Sequence, residues 1–158
     1  MSDANVIEGP RTEIRKLAKQ SEGLGMAWED ANGYAQAVKV GDTIYISGQL
    51  SHDATGNLVA PAPLDAKGAI ADHSNMAAQM RQSYVNAKEL LARYGATLDN
   101  VVEEVIYVTD MDAALAAAGP VRKEQYGSPK PTVACTVLVT PRLAFAPQLV
   151  EIKLIARV

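Results

Sequence analysis

Cysteine is almost absent from this chain: Cys135 is the only one in 158 residues. No disulfide can close within the chain, and a reducing cytoplasm is the expected compartment. Basic runs are absent too. Fifteen Lys and Arg are scattered among eighteen Asp and Glu, for a net charge of −3. Binding through phosphates needs a basic face, so no nucleic-acid partner is expected. No apolar run approaches the length that spans a bilayer. The polar opening "MSDANVIEGPRTEIRKLAKQ" lacks the apolar core of a secretory signal, and no membrane partner is expected. Two histidines and one cysteine offer no metal-ligand spacing. What is present is ordinary for a folded protein: 48% hydrophobic and 21% charged residues, at a length that suits one domain. The division read here is an N-terminal arm, residues 1–30, and a single domain, residues 31–158.

In the arm, "RTEIRKLAKQ" places Ile14, Leu17 and Ala18 at helical spacing and predicts a short helix. "EGLGMAWED" follows with the only tryptophan, Trp28. Two readings stay open: an arm packed on the domain surface, or Trp28 covering a ligand pocket. The clearest local signal is "YAQAVKV", "GD", "TIYISGQL", two alternating runs around Gly41-Asp42 that predict a β-hairpin. Ser47-Gly48 ends its second strand, where a backbone can approach a ligand closely. Residues 51–70, rich in Gly, Pro, Asp and Ala, predict a long loop of the kind that is often functional.

The strongest helix lies in "ADHSNMAAQMRQSYVNAKELLARYGA". Met76, Met80, Tyr84, Ala87, Leu91 and Tyr94 make one apolar stripe, read as core. Asp72 or Ser74 can cap its start and Gly95 can end it. "NVVEEVIYVTD" predicts a strand. "MDAALAAAGPVRKEQYG" predicts a second helix, capped by Asp112 and kinked or broken at Gly119-Pro120. "PTVACTVLV" and "QLVEIKLIARV" predict two more strands, joined by the loop "TPRLAFAP". The order β-β-α-β-α-β-β implies an α+β fold, a mixed sheet with two helices packed on one face. The other face would be too apolar to remain in water, which predicts a homo-oligomer.

In this order and spacing, "YAQAVKVGDTIYISGQL", "AQMRQSYVNAKELLARYGATLDNVVEEVIYVTDM" and "QLVEIKLIA" resemble segments of the RidA/YjgF family, also called endoribonuclease L-PSP. The resemblance covers most of residues 34–156. It implies a chorismate-mutase-like fold and a homotrimer with small-molecule sites at the subunit interfaces. It also implies hydrolysis of 2-imino or 2-enamino acids to ammonia and a 2-oxo acid, with no metal or organic cofactor.

Residue by residue, Tyr34 matches the family's pocket tyrosine, Ser47 and Gly48 its Ser-Gly, and Cys135 the cysteine of its penultimate strand. Glu151 matches the glutamate thought to position water. Val133 stands where active members carry an arginine that clamps the substrate carboxylate. Valine donates no hydrogen bond, whereas guanidinium is suited to a bidentate pair. The family's second-helix asparagine falls near Ala118. The catalytic candidates are therefore Glu151, as a carboxylate able to trade a proton with water or substrate, and Tyr34 as a neutral donor. Ser47, Gly48, Val133, Cys135, Arg142 and His52 are the binding candidates. Arg142 could meet an anion from its loop, or simply face solvent. His52 could reach the cleft, although each histidine also reads as a surface or capping residue. Cys135 reads as structural or pocket-lining rather than nucleophilic.

The expected activity is that of a Rid-like hydrolase or deaminase acting on an enamine, imine or related carbonyl compound without the usual clamp. The alternatives are a non-catalytic ligand-binding or regulatory trimer and, with less support from an acidic chain, a ribonuclease.

Overall fold

Strict alternation along the strands sets which side chains enter the core. In the computed structural model, which describes residues 16–158, β2 (Ala37–Val40) and β3 (Thr43–Gln49) form the expected hairpin, with Val40 paired to Thr43. Gly41 takes φ 59° at the first central position of the turn, a conformation that costs a residue without Cβ little. Ile44 and Ile46 point inward, and Tyr45 between them is exposed.

Three further strands complete the body of the sheet: β4 (Val101–Val108), β5 (Ala134–Val139) and β6 (Val150–Arg157). A short strand, β1 (Gln20–Glu22), pairs with Ala37–Lys39 of β2 and makes the sheet six-stranded. The spatial order is β1-β2-β3-β6-β4-β5, antiparallel except for the β4/β5 pair. The helices are α1 (Ala27–Asn32), α2 (Met76–Ala92) and α3 (Met111–Tyr126).

Helices α2 and α3 lie on one sheet face. Met76, Met80, Tyr84, Ala87 and Leu91 of the α2 stripe are buried against Ile106, Ile152 and Leu154, with Ala114 and Val121 of α3 in the same core. Each large apolar side chain so buried contributes roughly 1.5–3 kcal/mol relative to exposure. On the other face Tyr45 and Leu138 are exposed, and Val105, Tyr107 and Ile155 are half-buried. The fold class expected from the element order is the one observed. No helix of the described residues is long and apolar enough to cross a membrane.

Several local expectations need correction. β1 and α1 were not foreseen. Half of the helix expected over 11–20 lies outside the described residues; of the other half, 16–19 is irregular and Gln20 opens β1. The cap of α3 is Asp110, which accepts from the Ala113 N–H at 2.8 Å, and Asp112 sits in the first turn. Asn75 is the N-cap residue of α2, while Asp72 accepts from the N–H and hydroxyl of Ser74 in the preceding turn. Pro120 does not break α3. Pro120 and Ala116, whose carbonyl loses its helical partner there, are both exposed, so water can satisfy the freed group.

The 51–70 loop carries no helix or named strand, as expected, yet it is firmly tied. Gln79 of α2 donates to the carbonyls of Ala60 and Pro147 at 2.9 Å each and accepts from the Leu149 N–H at 2.8 Å. Asn86 donates to the carbonyls of Leu50 and His52. Two buried amides on one helix thereby fix both long loops, satisfying backbone groups that would otherwise be orphaned.

Candidate functional site

A β-bulge starts the site. Ile46 pairs with Leu154 and Gln49 with Ile152, so β3 uses one residue more than β6 over this interval. The additional residue falls at Ser47-Gly48 and turns that backbone toward Glu151. Gly48 has no Cβ, and the Glu151 carboxylate lies directly against it. Ser47 is held by its own groups: its N–H donates to the Gln36 carbonyl at 2.8 Å and its hydroxyl to the Ala35 carbonyl at 2.9 Å. Gln148, fully buried, donates to Glu151 Oε2 at 3.2 Å. Ser47, Gly48 and Glu151 form the polar end of a cleft of about 350 Å³, which also includes Tyr34.

The opposite wall is aromatic. Glu29 Oε1 accepts from the backbone N–H groups of Leu24 at 2.9 Å and Met26 at 3.2 Å, and Gly33 closes α1 at φ 66°. Burial of Glu29 works against its charge, but these hydrogen bonds prevail and hold its carboxyl below the usual range. The short helix so anchored carries Trp28 into the cleft, edge-on to Phe145 at 5.6 Å and to His52 at 5.3 Å between ring centroids. Burial, then the charges of Glu29 and Glu151, push the Tyr34 hydroxyl up. Tyr34 is thus a neutral donor at physiological pH.

Of the residues expected at a site, Tyr34, Ser47, Gly48 and Glu151 converge here. His52 does not line this cleft. It is buried behind Trp28, with Nδ1 2.9 Å from the Asp53 carbonyl and no partner at Nε2 among the described residues. Arg142 lines a separate cleft. Val133 packs on the core just before β5. Cys135 pairs in register with the inward residue Glu104, so it belongs to the helix-bearing face, opposite Glu151. Ala118, near the position of the family asparagine, is buried in the core. Among the described residues, no group of three or more His, Cys, Asp or Glu could hold a metal ion.

The sequence profile of the family described as "Endoribonuclease L-PSP" matches residues 25–158. The chain belongs to the RidA/YjgF family. It is 31% identical over 147 residues to the mitochondrial protein Mmf1 of Schizosaccharomyces pombe, covering 93% of this chain and 82% of that one. A 2-iminobutanoate/2-iminopropanoate deaminase of Dermatophagoides farinae is 31% identical over 98 residues, 62% of this chain and 66% of the relative. Among solved structures, a YjgF-family protein from Mycobacterium tuberculosis superposes with a TM-score of 0.70 at 26% identity, covering 89% of this chain and all of the other.

This RidA/YjgF chain also holds a buried charged cluster that its sequence did not announce. Glu104 of β4 is fully buried and accepts from the Tyr84 hydroxyl at 2.8 Å and the Tyr126 hydroxyl at 3.0 Å. Arg122 of α3 donates through Nε to the other carboxylate oxygen. Burial and the Glu104 charge push both tyrosines well above their ordinary range. Cys135 borders the cluster. Residue 135 as a whole is exposed on the edge strand, but its thiol turns toward Glu104. Desolvation and that charge push it up to about 11, so it is a thiol and not a thiolate at neutral pH. Strand parity was the available signal: Glu104 shares the inward phase of Ile106 and Val108.

Proposed function

We propose that this chain is a Rid-like hydrolase whose cleft acts on a neutral imine, enamine or related carbonyl compound. The observation that carries this reading is the convergence of Glu151, Gly48 and Tyr34 at one end of a cleft with an aromatic wall, with Gln148 donating to Glu151. Glu151 is placed to position water and to exchange a proton with it. Tyr34 supplies a donor to a substrate heteroatom, and Trp28 with Phe145 shelters the apolar remainder. The deaminase named among the relatives supports the reaction class.

The same reading makes the working unit a homotrimer, with the cleft completed by a neighbouring subunit. Exposed Tyr45 and Leu138, and the outer edge of β5, unpaired among the described residues, support that assembly. Val133 offers no clamp for a carboxylate, so 2-imino acids are poor substrates and neutral imines better ones. Losing a charged bidentate partner costs on the order of a thousandfold in rate. The test is ammonia release from a panel of 2-imino acids and their neutral amide or ester counterparts, with Glu151→Gln as the control. Release from no member of the panel, or release unaffected by Glu151→Gln, overturns the hydrolase. Val133 itself favours one second reading, a ligand-binding trimer without catalysis. Tight binding of a panel compound that is never turned over would select it.

A further inference from the structure

On the far side of the 141–147 loop lies a second cleft of about 460 Å³, within the range of small-molecule sites. It opens where the parallel strands β4 and β5 end, beside Thr109 and Pro141. The ionisable side chains in its lining are Arg142 and His73, and no carboxylate lines it. Asp72, the acidic neighbour of His73, spends its oxygens on Ser74. Arg142 makes no ion pair among the described residues. Ile70 and Leu143 supply apolar wall, and the Gln148 amide forms part of the boundary. A guanidinium with no ion pair among the described residues, above an apolar pocket, is a receptor for a carboxylate with a short hydrocarbon body.

Gln148 joins the two clefts. It lines the second, yet its Oε1 accepts from the Phe145 N–H at 3.3 Å and its Nε2 donates to Glu151 at 3.2 Å and to the Val150 carbonyl at 3.1 Å. Phe145 and Glu151 both line the first cleft. We propose that the second cleft is a binding site for a small organic carboxylate, gripped by Arg142 with His73, and that Gln148 transmits its occupancy to Phe145 and Glu151. The site does not depend on the hydrolase reading. An anion there meets a different set of side chains from the substrate of the first cleft.

Calorimetric titration of the full chain with sodium butanoate, and with butanamide as its neutral shape match, tests the site. Butanoate is expected to bind at least tenfold tighter than butanamide. Arg142→Gln is expected to weaken butanoate at least tenfold, and Tyr34→Phe, in the first cleft, to leave it within about threefold. The link is read in the same titrations from the emission of Trp28, the only tryptophan, which packs on Phe145. Saturation with butanoate is expected to shift that emission. Equal affinity for acid and amide, or unchanged binding in Arg142→Gln, overturns the site. Loss of binding in Tyr34→Phe with binding kept in Arg142→Gln puts the anion in the first cleft and overturns it as well. Binding that leaves Trp28 emission unaltered overturns the link through Gln148.

Discussion

Glu151 lies across Gly48: a Cβ on residue 48 would strike the Glu151 carboxylate and come within 2.7 Å of its Cγ. The obstructed atoms are the end of a flexible side chain and not backbone, and Gly48 is not in the left-handed region. Gly48→Ala therefore leaves the fold intact and displaces the carboxylate. Its melting temperature is expected to stay within a few degrees of wild type. Turnover falls by about a hundredfold, the scale of general acid–base help. Because Glu151→Gln removes the same contribution, the double variant is expected to lose little more than either single one. Full additivity in that cycle would assign Gly48 a separate role.

Tyr34→Phe tests the neutral donor. Burial and the charges of Glu29 and Glu151 keep the hydroxyl protonated. Its loss is worth about 0.5–1.5 kcal/mol, a roughly twofold to tenfold fall in kcat/KM. A fall as deep as that of Glu151→Gln would show Tyr34 to be a proton-transfer group.

Glu104 answers to stability. Glu104→Ala strands the Arg122 guanidinium and the Tyr84 and Tyr126 hydroxyls beside an empty, buried position. Removing one partner of a buried pair costs about 3–5 kcal/mol. Urea unfolding is expected to show a loss of that size. Arg122→Ala, with a partly exposed side chain, loses less, and the two losses are not additive.

The Cys135 thiol is pushed up to about 11, first by desolvation and then by Glu104. A raised acid dissociates later, so the thiolate is scarce at neutral pH and grows only as pH rises toward that value. At pH 8 the thiolate fraction is about a hundredfold below that of an unperturbed thiol. The alkylation rate plotted against pH is expected to have its midpoint near 11, and Glu104→Gln to move it downward. A midpoint unchanged in Glu104→Gln would separate the thiol from the carboxylate.

Assembly is tested by light scattering, which is expected to report three times the 16.8 kDa chain mass. Leu138→Asp introduces a charge on the exposed outer face of the edge strand and is expected to release monomers. A wild-type monomer at micromolar concentration removes the intersubunit site.

Elements whose cause is local were readable in advance. The Gly41-Asp42 hairpin rests on a turn and two alternating runs, and α2 on one stripe from Met76 to Leu91. Elements whose cause is distant were not. β1 is three residues long and exists because Ala37–Lys39 lie beside it, and α1 exists because Glu29 and Gly33 hold its ends. The site divides in the same way. Ser47, Gly48 and Glu151 stand at positions matched residue by residue, whereas Trp28 comes in on the short helix α1 and Phe145 and Gln148 on a loop, and no periodicity encodes their packing. Arg142 sits near Glu151 in sequence, and the loop between them turns it to the other side.

β6, last of the strands in chain order, lies in the middle of the sheet, between β3 and β4. As the polypeptide leaves the ribosome, the β2–β3 hairpin and the β4–α3–β5 unit must both wait with an inner edge open. Only when residues 150–157 emerge do the two halves close on each other. A late stop codon that removes this strand would therefore do more than trim an end. It would leave two separate fragments of sheet, each showing the cell's quality control a bare edge.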